Sequence, residues 1–220
     1  MPMLLPLLAP LLLMLAALAP PLRSPARAEA VALGALGLAL CGAVAMALTG
    51  PITAAVGTGS FLLALRLDGL SAVMTVLVAL VGWVVLRYAK TYLQGEAGQG
   101  AFTATTLWTL GAVLALVSAG SLLVLVAAFA AVGSGIGRLL LFYPGRPAAQ
   151  RAERKMMLVA RAGDAALVLA AMLLWGGYGT ADIATIGASA TPAPAMALWG
   201  AAFLALAAVL KSAQFPAHGW

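Results

Sequence analysis

Apolar residues run through this chain in long blocks, and charge, proline and glycine fall between the blocks more than inside them. Residues 1–22 carry no charged side chain. They are long enough to span a bilayer, since about 20 apolar residues cover a ~30 Å hydrocarbon core. Pro2, Pro6 and Pro10 recur through the first half, and Pro20 and Pro21 close the segment. Pro10 lies inside the run and predicts a kink or break there. A second reading is a signal peptide, with residues 11–19 as its apolar region and Ala26-Arg27-Ala28 as a small-x-small cleavage site. The basic region that should precede it is missing, so the segment is taken as helix 1. Residues 23–29 form a short basic loop and residues 30–48 a Gly- and Ala-rich helix 2, ended by Thr49-Gly50-Pro51.

Residues 52–68 break the helical pattern. Phe61 to Asp68 are β-compatible and follow a glycine-rich turn, which predicts an extracytoplasmic hairpin or a surface strand. Residues 70–86 are helix 3, with a basic and aromatic interfacial exit through Arg87, Tyr88, Lys90 and Tyr92. After a polar turn at 94–100, residues 101–117 are helix 4. The link at 118–121 is very short, so helices 4 and 5 should be antiparallel neighbours. Helix 5 covers 122–142, a basic loop 143–155, helix 6 156–175, and a Gly/Thr/Ala/Pro loop 176–194. The seventh helix begins near Ala197 and runs into Lys211, with Pro216 and His218 beyond.

The fold class is therefore all-α: a polytopic transmembrane bundle of about seven helices. Composition agrees. Of 220 residues, 64% are hydrophobic and 8% charged, with mean hydropathy +1.09, a balance no ordinary soluble domain has. Helices are required because backbone facing lipid must satisfy its own hydrogen bonds. The net charge of +6 is not a nucleic-acid signal, because the basic residues lie in alternate loops. Loops 1–2, 3–4 and 5–6 hold Arg23, Arg27, Arg87, Lys90, Arg146, Arg151, Arg154 and Lys155, and the other three hold only Arg66. The positive-inside rule then puts the first set in the cytoplasm and the N-terminus outside. One cysteine, Cys41, and one histidine make a Cys/His zinc site or a haem pair untenable, and no cofactor or metal is expected.

Candidate chemistry reduces to ionisable residues inside the predicted helices. A lysine at bilayer depth costs roughly 2.5–3.5 kcal/mol on insertion scales and usually faces a bundle interior or a polar cavity. Lys211 sits inside its hydrophobic run, and Pro216 should break the helix after it. It is either a buried base beside a helix break or a lysine snorkelling from a helix end. Asp164 lies nine residues past Lys155, ~13 Å along the axis and near mid-core. Arg161, three residues earlier, shares its helical face. An Arg161–Asp164 pair would either tie two helices together or hold the carboxylate ionised beside a base. Burial disfavours an ammonium and a neighbouring acid favours it, so Lys211 with a movable acid is the minimum for a proton relay. His218 is either the next station or a helix-end packing residue. Arg138, five residues before Tyr143, reaches the headgroups. Gly133, Gly135 and Gly137 mimic a dinucleotide loop, but Arg138 stands where the next glycine would follow and no strand precedes it; close helix packing explains them.

Several stretches resemble one family. LKSAQFPAHGW at 210–220 is similar to the lysine-bearing seventh helix of the antiporter-like proteins. These are the large membrane subunits of respiratory complex I, the Mrp-type antiporters and the DabB subunits. LDGLSAVM at 67–74 and GWVVLRYAKTYLQGE at 82–96 resemble the third helix and its following loop. ERKMMLVARAGDAALVL at 153–169 resembles the sixth helix, with Arg161, Gly163 and Asp164 in its motif, and GTADIA at 179–184 fits the next loop. The family fold has about fourteen helices, with a core of two inverted repeats. The resemblance implies two N-terminal helices and the start of an extracytoplasmic loop over 1–60. It implies the first half of the antiporter-like domain over 61–220, truncated at the lysine motif.

One departure narrows the choice. Complex I and Mrp subunits carry a glutamate in helix 5, within Gly-Trp-Glu-Gly-Val-Gly. Here the run is Ala128-Phe129-Ala130-Ala131-Val132-Gly133, so Ala130 takes its place. RLLLFYPGRPAAQRAERK at 138–155 is instead similar to DabB, the membrane subunit of an inorganic-carbon accumulation complex. The resemblance implies a multi-pass subunit of the bacterial inner membrane that conducts H⁺ or Na⁺, with H⁺ favoured. It implies a DabA-like zinc partner similar to carbonic anhydrase, and Lys211, Asp164, Arg161 and His218 as the ion path. The rival is a complex I subunit L or an Mrp antiporter, the one setting in which the chain would count as part of an enzyme. A structural scaffold is the third alternative.

Overall fold

In the computed structural model, residues 7–58, 61–143, 145–189 and 194–212 are described. Helix α1 spans Ala9–Leu18, followed by a 3₁₀ turn at Pro20–Arg23 and α2 at Pro25–Thr49. Pro10 sits in the first turn of α1, so of the kink or break expected there the described residues show a helix start. Its fixed φ and missing N–H suit that position, whose amide has no intrahelical partner anyway. Likewise α2 begins at Pro25, after an extended Ser24, so Arg27 and Glu29 lie in its first turns and not in a loop. Ser-Pro followed by Ala-Arg-Ala-Glu-Ala is a helix start made of good helix formers.

The weak strand signal resolves into a hairpin. Strands β1 (Ile52–Val56) and β2 (Leu63–Leu67) pair antiparallel, Ile52 opposite Leu67 and Val56 opposite Leu63. Gly57 has φ +91°, and a Cβ there would collide with the Phe61 carbonyl. Helix α3 (Gly69–Tyr92) opens on a capping box: the Ser71 amide donates to the Asp68 carboxylate at 3.0 Å, and the Asp68 amide donates to Ser71 Oγ at 2.6 Å.

Helices α4 (Gln99–Val117), α5 (Leu122–Leu140), α6 (Pro147–Tyr178), α7 (Ile183–Gly187) and α8 (Ala195–Lys211) follow among the described residues. Helix α6 starts nine residues earlier than expected, at 147 against 156, and absorbs Arg151, Arg154 and Lys155. It ends at Gly179 in the left-handed conformation. The loop after it contains α7, capped by the Asp182 carboxylate. Among the described residues five helices, α2 to α6, are long and apolar enough to cross a membrane; α1 and α8 are shorter apolar helices of 10 and 17 residues.

Small residues set the helix contacts, as expected where lipid is as apolar as leucine and close approach must supply the attraction. Leu13, Leu107 and Leu114 are fully buried where α1 meets α4. At Gly111 a Cβ would stand 2.8 Å from the Pro10 carbonyl oxygen. Gly135 of α5 abuts Thr109 of α4, and Gly137 lies against Met157 of α6, whereas Gly133 faces open space. Packing therefore accounts for two of the three glycines. Helices α6 and α8 run antiparallel, with Gly177 against Ala197, Gly200 against Leu174, and Gly163 against Lys211.

The two ends of the bundle differ. At one end the hairpin, the α4–α5 link and the α6–α7 turn are joined through backbone. Arg66 N donates to Ser118 O at 2.7 Å, Gly120 N to Ala64 O at 2.8 Å, Leu122 N to Ala181 O at 2.9 Å and Ile183 N to Gly120 O at 3.1 Å. Ser121, 0% exposed, accepts from Ala64 N through its hydroxyl. The other end is held by side chains. Lys90 donates to Glu29 at 2.9 Å, Phe102 meets Phe142 edge-on at 5.3 Å, and the Arg146 guanidinium lies 4.9 Å from the Tyr143 ring centroid. The alternate loops thus do gather at opposite ends, and the eight-to-one charge imbalance is an imbalance between two ends of the structure.

Candidate functional site

The ionisable residues of the last two long helices meet where α6 and α8 pack. Lys211 is in the last turn of α8, and its ammonium donates a hydrogen bond to the Asp164 carboxylate in an interhelical ion pair. The two side chains are 14% and 20% exposed, respectively, so little water screens the pair. Gly163 makes the contact possible. A Cβ there would lie 3.2 Å from Lys211 Cε and 3.3 Å from Cγ, so the lysine stem rests on bare α6 backbone. Beneath the pair Ala166, Leu167 and Ala207 are buried, with Leu125, Val126, Phe129 and Phe203 packed against them.

A third helix completes the surroundings. The Lys211 ammonium lies 5.1 Å from the centroid of the Phe129 ring on α5, within the range of a cation–π contact. Phe129 precedes Ala130, which stands where the resemblance expected a glutamate and is exposed. The lysine therefore has an acid after all, supplied by α6, and an aromatic face in place of an acid on α5.

Of the two partners expected for Asp164, Arg161 or Lys211, the structure pairs it with Lys211. Among the described residues Asp164 has one ion-pair partner, Lys211, and Arg161 is exposed and joins none of the four ion pairs. A spacing of three places both residues on one side of α6, but Lys211 approaches from α8 and takes the carboxylate. Arg138 is exposed in the last turn of α5, as a headgroup-reaching residue should be. His218 and Pro216 lie outside the described residues. Two contributors were not foreseen in their roles: Phe129, inside the run quoted for its missing glutamate, and Gly163, inside the Arg-Ala-Gly-Asp motif. The chemistry available is the passage of one proton between an amine and a carboxylate. A long flexible stem lets the amine move between the acid and the ring.

A helical bundle with five membrane-length helices among the described residues and a lysine–carboxylate pair between two of its helices defines a polytopic membrane subunit with an ionisable interhelical site. Two family descriptions match the chain: "NADH-Ubiquinone oxidoreductase (complex I), chain 5 N-terminus" over residues 54–103 and "NADH:quinone oxidoreductase/Mrp antiporter, TM" over 119–220. The chain belongs to this antiporter-like membrane family. It is 38% identical over 167 residues to the "Probable inorganic carbon transporter subunit DabB2" of Halothiobacillus neapolitanus, covering 74% of this chain and 30% of that protein. It is 34% identical over 155 residues to the "Probable inorganic carbon transporter subunit DabB" of Hydrogenovibrio crunogenus, covering 69% and 30%. The solved Mrp complex from Dietzia sp. DQ12-45-1b superposes with TM-score 0.80 at 27% identity, over 98% of this chain and 24% of the matched one. The chain thus spans about 30% of the length of the two inorganic carbon transporter subunits.

Proposed function

We propose that the chain contributes a cation path, for H⁺, to a bacterial inner-membrane complex that accumulates inorganic carbon. Its partner is a DabA-like zinc subunit that hydrates CO₂ to bicarbonate. Lys211 and Asp164 are the switchable site. The observation that carries this reading is the interhelical Lys211–Asp164 pair, held by Gly163 and faced by Phe129. Such a pair is costly inside a membrane, and intramembrane ionisable residues mark ion paths. H⁺ is preferred to Na⁺ because the ammonium already occupies the carboxylate and would repel a second cation. Similarity to DabB subunits, together with Ala130 in place of the glutamate, favours carbon uptake. The second reading, a proton-pumping subunit of an NADH-quinone oxidoreductase or an Mrp antiporter, rests on the family descriptions. The basic end faces the cytoplasm, which places the N-terminus outside. Residues 1–60 serve as an N-terminal scaffold to the antiporter-like unit at 61–220.

The test uses the full-length gene expressed with its partner, reading uptake of labelled bicarbonate at equal protein level. Lys211→Ala abolishes uptake. Lys211→Arg also fails, because a guanidinium stays protonated and cannot exchange the proton. Full activity in the Arg variant returns Lys211 to a snorkelling role. Activity that needs oxidoreductase subunits and ignores the zinc partner supports the second reading.

A further inference from the structure

At the basic end a cleft of about 370 Å³ opens between α3, α4, α5 and the start of α6. Its wall includes Tyr88, Tyr92, Phe102, Phe142, Tyr143 and Arg146. The volume falls among those of small-molecule sites, ~300–1,000 Å³. Tyr88 and Tyr92 stack at 5.3 Å and are largely exposed, so their hydroxyls stand at the rim. Phe102, Phe142 and Tyr143 form a chain of edge-on contacts that stiffens the opposite wall. Arg146 caps the cleft, its guanidinium placed over the Tyr143 ring at 4.9 Å. Among the described residues it joins no ion pair, so its N–H edge is not taken by a carboxylate. A second depression of about 310 Å³, holding Arg138, shares Phe102, Leu139 and Phe142 with the first. An apolar cleft thus has one arginine at its mouth and another behind its aromatic wall.

We propose that this cleft binds one diacyl phospholipid with an anionic headgroup. The phosphate takes the fork of donors on Arg146, a geometry that guanidinium matches in two parallel hydrogen bonds. The tyrosine hydroxyls donate at the rim, and the apolar walls receive the glycerol end of an acyl chain. The lipid follows from charge and shape together. A soluble anion would use the arginine and leave the aromatic walls bare; a neutral lipid would fill the walls and forgo the positive field. Basic pockets between membrane helices take anionic headgroups on the same grounds. This site is separate from Lys211 and Asp164, and the inference does not rest on the carbon-uptake reading.

The experiment is native mass spectrometry of the purified full chain released from nanodiscs of equimolar phosphatidylglycerol and phosphatidylcholine. Wild type should retain one phosphatidylglycerol, and Arg146→Ala should lower that retention about tenfold, the loss of a charge-assisted contact. Arg146→Lys should restore part of it, and Arg151→Ala, an exposed arginine outside the cleft, should leave it unchanged. Tyr143→Leu, which removes the ring under the guanidinium, is the second variant; a thermal melt confirms that each variant is folded. Equal retention of the two lipids, unchanged retention in both Arg146→Ala and Tyr143→Leu, or displacement by millimolar inorganic phosphate would overturn the proposal.

Discussion

Severing the Lys211–Asp164 pair one side at a time puts a number on what joins α6 to α8. The variants are Lys211→Met, Asp164→Leu and the double variant, each keeping apolar volume over Gly163. Removing one member of a buried pair leaves an uncompensated charge, at a cost of about 3–5 kcal/mol. Here the side chains keep 14% and 20% of their exposure, and polar contacts between membrane helices average ~0.6 and reach ~1.7 kcal/mol. The coupling should therefore fall at about 1–3 kcal/mol. The two single variants should differ. Lys211 without Asp164 keeps the Phe129 ring at 5.1 Å, worth ~0.5–2 kcal/mol. Asp164 without Lys211 has no other cation within ion-pair reach among the described residues. Lys211→Met should thus be the costlier by about 1 kcal/mol, and the double variant should recover most of the loss. Equilibrium unfolding in mixed micelles, analysed as a double-mutant cycle, reads all three. Coupling under ~0.5 kcal/mol, the additivity of independent sites, would refute an energetically linked pair.

Gly163→Val should destabilise by about 1–3 kcal/mol through overpacking, since even a Cβ meets Lys211 at 3.2 Å; in a Lys211→Ala background the cost should shrink, and an equal cost there would move the clash elsewhere. Asp68→Ala should cost about 1 kcal/mol as a lost helix cap. The Ser71 amide hydrogen bond holds the Asp68 carboxyl below its ordinary value of 3.8. That stability is present above 3.8 and is lost as pH falls through the lower folded value. The gap between wild type and Asp68→Ala should accordingly narrow in acid, and a constant gap down to pH ~2 would remove the ionised cap. A cysteine replacing Arg151, with Cys41→Ser to clear the exposed native thiol, should label from the cytoplasmic side alone; periplasmic labelling inverts the topology.

Most of the helices were legible because each is a long apolar run, and lipid leaves such a run few alternatives. Their starts were less so. Charged residues read as loop, yet Arg27, Glu29, Arg151 and Arg154 are good helix formers and extend α2 and α6 beyond the apolar stretch. Local spacing left the partner of Asp164 open between Arg161 and Lys211. Arg161 shares a face with Asp164, but the partner of Asp164 comes from 47 residues away, a separation that only packing closes. Gly163 carries the signal in retrospect, as a residue without a side chain beside an acid on a helix facing a lysine. The hairpin's part in joining three loops was not readable, because backbone hydrogen bonds leave no mark on residue type.

That joined end has a mechanical consequence. Main-chain bonds clamp β2, the start of α5 and the turn after α6 to one another, and they do not depend on side-chain charge or on salt. The aromatic and ionic contacts at the basic end are softer and adjustable. Relative motion of α5 and α6 should then behave as a lever with its fulcrum at the hairpin, growing in amplitude toward Arg146. Amide exchange would register this as slow hydrogens on Gly120, Leu122 and Ile183 and faster ones near Phe142. The reverse ordering would place the fulcrum at the basic end.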